Sequence, residues 1–271
     1  MPPRQAMRVA QKLYEGVSIN GSPQALITYM RTDSLTLSKE ALGSIRNYLE
    51  KKHPNALPAK PNFYKSKSRN AQEAHEAIRP VDITKTPASL RNHLEPAQYK
   101  LYDLIWRRTV ASQMSPQELE RFSFTLENKN QDRFSGSEVK TTKLGFKEVW
   151  TGGSEENSKG LEDSIKLGQS WNLKDLLSWQ KFTNPPARYS AASLIKKKEE
   201  LGIGRPSTYA SIISTLSDRG YTEPSQSSMK PTTLGMQVGK LLIENFKPVT
   251  GAEMTTGDAR NRSSRISSVK L

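Results

Sequence analysis

Apolar positions along this chain change rhythm twice. Through the first 114 residues they recur at helical spacing. RVAQKLYEG (8–16) sets Val9, Leu13 and Tyr14 on one stripe and runs out at Gly16, a helix stop. SKEALGSIRNYLEKK (38–52) repeats the pattern with Leu42, Ile45 and Leu49, with Ser38 as the capping residue and lysines in the last turn, where the helix dipole favours them. AQEAHEAIR (71–79) predicts a helix stopped by Pro80, because proline has no N–H to continue the ladder. EPAQYKLYDLIWRRTVASQM (95–114) predicts a longer one with Leu101, Leu104, Ile105 and Val110 inward. In this block only ALITYM (25–30) reads as a strand, short, apolar and rich in strand formers. HPNALPAKPNFYKSKSRN (53–70), with three prolines and four Lys or Arg, predicts a long exposed loop.

From residue 115 alternation replaces helical spacing. RFSFTLEN, RFSGSEVKTTKLGFKEVW and SWNLKDLLSWQKF alternate polar with apolar positions between Gly, Asn and Ser, which predicts antiparallel strands with one wet face. TGGSEENSKG (151–160) predicts a flexible loop, and TNPPAR (183–188) a boundary. Beyond it, SAASLIKKKEEL (190–201), the turn GIGR and PSTYASIISTLSDRG (206–220) predict a helix pair. Pro206 suits the first helical position, and Tyr209, Ile212, Ile213 and Leu216 form its stripe. A pair with a tight glycine turn resembles a helix-turn-helix, although helical hairpins also exist for packing alone. The end, ARNRSSRISSVKL, has no period and predicts a disordered tail. The chain therefore reads as an α+β multidomain protein: mainly helical over 1–114, antiparallel β-rich over 115–186, helical over 187–250, and a tail over 251–271.

Composition sharpens this. Hydrophobic residues make up 34% and charged residues 25%, enough for folded cores. No apolar run approaches the ~18 residues of a membrane span, and the opening MPPRQAMRVAQ lacks the apolar stretch of a secretory signal, so no membrane partner is expected. Cysteine is absent, which removes disulfides and Cys-ligated zinc and fits a reducing, cytoplasmic setting. The formal net charge is +14, with a sequence pI near 9.8. It divides as +9 over 1–114, −1 over 115–186 and +6 over 187–271. Two basic blocks around a neutral one point to a polyanion, most simply nucleic acid, held by the outer blocks; a solvated lysine-rich surface is the plainer reading.

Three places carry candidate chemistry. Tyr29 and Arg31 are two residues apart, so on a strand they share a face. A phenol with a pKa near ~10 is a weak nucleophile unless a neighbour stabilises the transition state, and a guanidinium does this while gripping a phosphate through paired hydrogen bonds. Attack on a phosphodiester would give a covalent protein–nucleic acid ester; a tyrosine that merely packs is the other reading. His75 and Arg79, spaced i, i+4, would share a helix face with Gln72 nearby. The HEAIR string lacks the second histidine of a zinc-protease motif, so His75 stands either as a phosphate ligand or as an ordinary surface histidine. GIGRPST sets Gly204, Arg205, Ser207 and Thr208 at a helix start, where free N–H groups favour phosphate; Lys196, Lys197 and Lys198 add charge or simply a solvated face.

At these residues a family becomes recognisable. LITYMRTDS, AQEAHEAIRP, LYDLIWRRTVASQM and LGIGRPSTYASIISTLSDRGY, in this order, closely resemble the bacterial type IA DNA topoisomerases, and MRVAQKLYEG resembles the helix before that family's active-site strand. The resemblance runs from about residue 7 to about 247. It implies that Tyr29 is the nucleophile forming a 5′-phosphotyrosine bond and that Arg31 positions the scissile phosphate. It places Thr32, Asp33, Ser34, His75, Arg79, Arg205, Ser207 and Thr208 among the DNA-binding residues. It makes 1–114 a nucleophile domain, 115–186 part of a β-rich arch and 187–250 part of a helical DNA gate. The implied partners are single-stranded and negatively supercoiled DNA, relaxed without ATP by a cytoplasmic, nucleoid-associated monomer. One departure stands out. The family's Mg²⁺ site is a DxD-type acidic cluster in an N-terminal Toprim domain, and no two aspartates here have that spacing. The expectation is that this chain binds no Mg²⁺ and, alone, binds DNA without relaxing it. The alternative is a non-catalytic helix-turn-helix DNA-binding protein.

Overall fold

In a computed structural model of the chain, residues 1–32, 34–64, 75–152, 160–223 and 228–246 are described. Two compact units interleave along the sequence. One comprises Met1–Ser38, Phe63–Asp103 and Pro186–Leu271; the other comprises Lys39–Asn62 and Leu104–Pro185.

The first unit opens with α1 (Pro3–Glu15). Pro3 suits the first turn, Val9, Ala10 and Leu13 face inward, and Gly16 ends the helix at φ +128°, donating its N–H to the Lys12 carbonyl at 3.1 Å. Tyr14, expected on the buried stripe, is 38% exposed. A hairpin follows, β1 (Val17–Ile19) against β2 (Ser22–Gln24), closed by Asn20 and Gly21, both at positive φ. The short α3 (Pro87–Leu90) is capped by Thr86, whose hydroxyl accepts the Ser89 N–H. Later come α6 (Ala191–Glu200) and α8 (Thr233–Asn245), capped by the hydroxyls of Ser190 and Thr232, and between them α7 (Pro206–Asp218), which starts after Arg205 with Pro206 in its first turn. Tyr209 and Ile213 bury the inner face of α7, with Ile212 and Leu216 half-buried beside them, and α7 packs against both α6 and α1.

The second unit is built on α2 (Lys39–Lys52), which buries Ala41, Leu42, Ile45 and Leu49. The helix α4 (Pro96–Ser112) spans the division at Asp103 and Leu104. Its inward face is not the expected leucine stripe. Tyr102, Trp106, Thr109 and Val110 are buried, whereas Leu104 is 52% exposed; the large aromatics at i, i+4 set the face and turn Leu104 outward. The described part of the 53–70 loop is tied down. Arg46 donates to the Pro58 and Ala59 carbonyls, and Asn62 to those of Ser112 and Met114.

A long antiparallel ribbon, β3 (Glu118–Glu127) paired with β4 (Arg133–Lys143), realises two of the three alternating segments. Phe124 lies over Gly136, where a Cβ would sit 2.4 Å from its ring. The third segment, SWNLKDLLSWQKF, is not a strand. It is exposed and without regular structure, because alternation makes a strand only where a partner edge is available, and none pairs with it among the described residues. The ribbon's root is fastened by α5 (Lys147–Trp150): Ser115 N–H donates to Ala56 O at 2.8 Å, Phe146 N–H to Ser115 O at 2.9 Å, His53 pairs with Glu148 at 2.7 Å and Arg108 lies over Trp150. Residues 153–159 of the predicted loop and 251–271 of the predicted tail lie outside the described residues. No helix among the described residues is long and apolar enough to cross a membrane.

At the root, Gly145 holds φ +51° with the place of a Cβ only 2.2 Å from the Pro116 carbonyl oxygen. Gly145→Ala should destabilise this junction by about 1–3 kcal/mol. Hydrogen exchange should show lost amide protection at Phe146 and Ser115 while α1 and α7 keep theirs.

Candidate active site

The segment holding Tyr29 is extended but forms no regular strand. Leu26 and Ile27 are each 1% exposed and anchor it in the core. Leu26 N–H donates to Leu13 O at the end of α1 (2.8 Å), and Val81 N–H donates back to Leu26 O (3.0 Å). Ile27 faces Pro80 in a single bridge, and Thr28 N–H donates to Arg79 O at 2.9 Å. The Thr28 hydroxyl completes the strap: it donates to Ala77 O at 2.8 Å and accepts the Arg79 N–H at 3.0 Å. Ile27 and Pro80 form a non-hydrogen-bonded pair flanked by the Val81–Leu26 and Thr28–Arg79 backbone bonds, and the chain bends at Thr28. The expected strand over 25–30 is thus one bridge long, and the shared face inferred for Tyr29 and Arg31 from strand alternation does not follow. Tyr29 emerges 44% exposed, and Arg31 is half-buried.

The Tyr29 ring is held on two sides. Tyr14, from the last turn of α1, meets it edge-on with centroids 5.2 Å apart, and His75 stacks on it at 5.7 Å with 30° between planes. Residues 75–79 are not helical, and 71–74, with Gln72, lie outside the described residues. His75 and Arg79 therefore share no helix face. The physical reason is the strap: Ala77 N–H donates to Thr36 O, and Arg79 pairs with Thr28, so these backbone groups serve long-range partners instead of a helix.

Arg79 also has a different task from the one expected. Its guanidinium grips Glu76 through Nε at 2.7 Å and Nη2 at 3.0 Å and donates to Pro80 O, with the side chain 16% exposed. Glu76 accepts the Ser38 N–H at 2.8 Å as well. Burial works to raise the Glu76 pKa, but the hydrogen bonds from Arg79 and Ser38 and the charge of Arg79 outweigh it and hold the carboxyl below its usual 4.5. Ser34 is 8% exposed and its hydroxyl accepts the Thr36 N–H, so it serves the turn, not an outside phosphate. Thr32 is exposed; Asp33 lies outside the described residues.

The second constellation lies at the start of α7. Gly202 and Gly204 turn the chain at φ +69° and +87°, and a Cβ on Gly204 would press on Tyr209 and Thr208 at 3.2 and 3.3 Å. Thr208 Oγ accepts the Arg205 N–H at 2.9 Å, and Arg205 Nη1 donates to Gly204 O, while Arg205, Ser207 and Thr208 all stay exposed. Lys198 lies over the Tyr209 ring at 5.8 Å, and burial lowers its pKa. Lys196 and Lys197 are exposed. Helix α1 thus touches both places, leaning Tyr14 on Tyr29 and packing on α7. Among the described residues no three His, Asp or Glu converge to hold a metal ion.

Sequence reasoning missed Thr28, Tyr14 and Glu76. Only Thr28 left a local signal, a hydroxyl inside an apolar run beside the candidate nucleophile.

The profile of the DNA topoisomerase family matches residues 1–262. DNA topoisomerase 1 of Rickettsia felis is 44% identical over 274 residues, covering 99% of this chain and 35% of that protein. DNA topoisomerase 1 of Xylella fastidiosa is 42% identical, covering 93% and 32% respectively. The crystal structure of full-length topoisomerase I from Thermotoga maritima superposes with a TM-score of 0.72 at 34% identity, over 92% of this chain and 40% of that one. The chain thus spans about a third of the length of the curated relatives it matches. The match extends far beyond the helix pair at 187–220, so a helix-turn-helix protein without catalysis is not favoured.

Thr28→Val keeps the shape and removes the hydroxyl that links Ala77 and Arg79. It should cost about 1–3 kcal/mol locally, read as faster amide exchange at Thr28 and Arg79. The Glu76 contribution should be intact above pH 4.5 and fade as pH falls through its lower folded value, because protonation is harder in the folded state. Glu76→Gln should abolish that acid-side loss of protection at 76–81.

Proposed function

The chain belongs to the bacterial type IA DNA topoisomerase family, and from that premise we propose that it supplies the nucleophile that breaks and reseals one DNA strand. The observation that carries this reading is the Tyr29 phenol, 44% exposed at the end of a backbone strapped into the core and steadied by Tyr14 and His75. Mechanistically, the Tyr29 oxygen attacks a backbone phosphorus. A phosphorus–oxygen bond forms to the phenol as the bond to the 3′ oxygen breaks; the phenol's proton leaves to solvent and the departing oxygen takes one up. The products are a 5′-phosphotyrosine and a free 3′ hydroxyl. One phosphoester replaces another, so the hydroxyl can reverse the step without ATP. Arg31 holds the non-bridging oxygens and stabilises the charge that builds on them.

In this reading His75 and Thr32 contact DNA near the break, and Arg205, Ser207 and Thr208 hold phosphates at the start of α7. Arg79 and Ser34 act inside the protein and keep the strap in place. Residues 1–114 form the nucleophile domain, 115–186 part of the arch and 187–250 part of the gate, so that strand passage relaxes negative supercoils. The protein works as a monomer on the chromosomal DNA of the cytoplasm. Type IA topoisomerases generally depend on Mg²⁺, and no step written for Tyr29 or Arg31 runs through it.

Denaturant trapping on single-stranded DNA with Mg²⁺, with and without the N-terminal part of a relative supplied in trans, tests the reading. A covalent protein–DNA band is expected in at least one condition. It should vanish in Tyr29→Phe and fall roughly 10²-fold in Arg31→Ala. A band that survives Tyr29→Phe, or none in either condition, would contradict it.

A further inference from the structure

We propose that Lys198 is a positioning residue for the phosphate contacts at the start of α7: its ammonium bears on the Tyr209 ring, and that ring sets the turn presenting Arg205 and Thr208. The assignment rests on the reading that Arg205 and Thr208 hold phosphates, and names what holds them in place. Of the three consecutive lysines of α6, Lys196 and Lys197 are exposed, and Lys197 pairs with Glu200 at 3.5 Å. Lys198 behaves differently. A lysine near the surface ordinarily carries its ammonium out to water along its flexible stem. Here Nζ is covered, has no hydrogen-bond partner among the described residues, and lies over the Tyr209 ring, 5.8 Å from its centre. Covering an ammonium without a hydrogen bond is unfavourable, and burial accordingly lowers its pKa. The negative face of an aromatic ring offsets that cost.

Tyr209 passes the contact on. It is 9% exposed, and its ring lies against Gly204, where a Cβ would stand 3.2 Å from the ring and 3.3 Å from Thr208 Oγ1. Gly204, at φ +87°, turns the chain into Arg205. From there Arg205 N–H donates to Thr208 Oγ1 at 2.9 Å, Arg205 Nη1 donates to Gly204 O at 2.9 Å, and Tyr209 N–H donates to Arg205 O at 3.1 Å. The Lys198 carbonyl closes the same turn by accepting the Ile203 N–H at 2.8 Å. Burial and the Glu199 charge raise the Tyr209 pKa, and the Arg205 charge works against them, so guanidinium and phenol feel each other. Ammonium, ring, glycine and guanidinium form one contiguous set, and Arg205 and Thr208 are its exposed members. A lysine that gripped phosphate itself would present its ammonium to solvent, and Lys198 does not.

Fluorescence anisotropy of the whole chain with labelled oligothymidylate tests this as a double-mutant cycle between Lys198 and Arg205. Lys198→Met keeps the stem and removes the charge. It should weaken binding roughly 3- to 30-fold, but by no more than about twofold in an Arg205→Ala background, because it acts through Arg205. Lys198→Arg keeps a cation for the ring and should restore binding. Without DNA, amide exchange at Arg205 and Tyr209 should quicken in Lys198→Met and recover in Lys198→Arg, with Leu26 protected throughout. Equal weakening by Lys198→Met with and without Arg205, no recovery in Lys198→Arg, or unchanged exchange at Arg205 in Lys198→Met would overturn the proposal. An Arg205→Ala variant that binds as tightly as the original, or an unmodified chain that binds no oligothymidylate, would remove the phosphate role of Arg205 and this proposal with it. A weakened Arg205→Ala beside an unaffected Lys198→Met would remove this proposal alone.

Discussion

The hydroxyl of Thr28 is the point on which the candidate site depends. It joins two segments far apart in sequence by donating to Ala77 and accepting from Arg79, while the backbone on either side pairs Leu26 with Val81 and Thr28 with Arg79. Each bond contributes only about 1 kcal/mol net, but leaving any of these groups unpaired in a partly buried place would cost more than the bond supplies. The strap therefore holds as a unit. It ends at Thr28, one residue short of Tyr29, so the phenol reaches solvent while Leu26 and Ile27 stay buried.

Around this strap the charges are divided between framework and ligand. Arg79 is consumed by Glu76, and Glu76 in turn fixes Ser38 at the entrance to α2, so the ion pair is part of the scaffold. Arg205, Ser207 and Thr208 stay exposed at the start of α7. Helix α1 connects the two regions by touching Tyr29 through Tyr14 and packing against α7.

Elements governed by local physics were legible in the sequence. Gly16 ends α1, Leu42, Ile45 and Leu49 form the buried stripe of α2, Pro206 begins α7, and alternation over 118–143 gives the ribbon. The Asn20–Gly21 turn and the Thr232-capped α8 were equally readable and were passed over. What could not be read was set by distant partners. Residues 25–30 and 75–79 have strand-like and helix-like composition, yet each gives its hydrogen bonds to the other across about fifty positions. Leu104 faces out because Tyr102 and Trp106 claim the core, and 170–182 alternates without an edge to join. Tyr29 and Arg31 were visible as chemistry; the contacts of Tyr14 and Glu76 were not, because nothing local marks them.

Tyr14 is the natural rival to Tyr29, a second exposed phenol with its ring 5.2 Å away. Mass-spectrometric mapping of protein recovered from a trapped complex with single-stranded DNA separates them most directly. The account predicts the nucleotide mass on Tyr29 alone, with Tyr14 and His75 unmodified. A nucleotide on Tyr14 would contradict it, since the strapped segment would then be holding the wrong phenol.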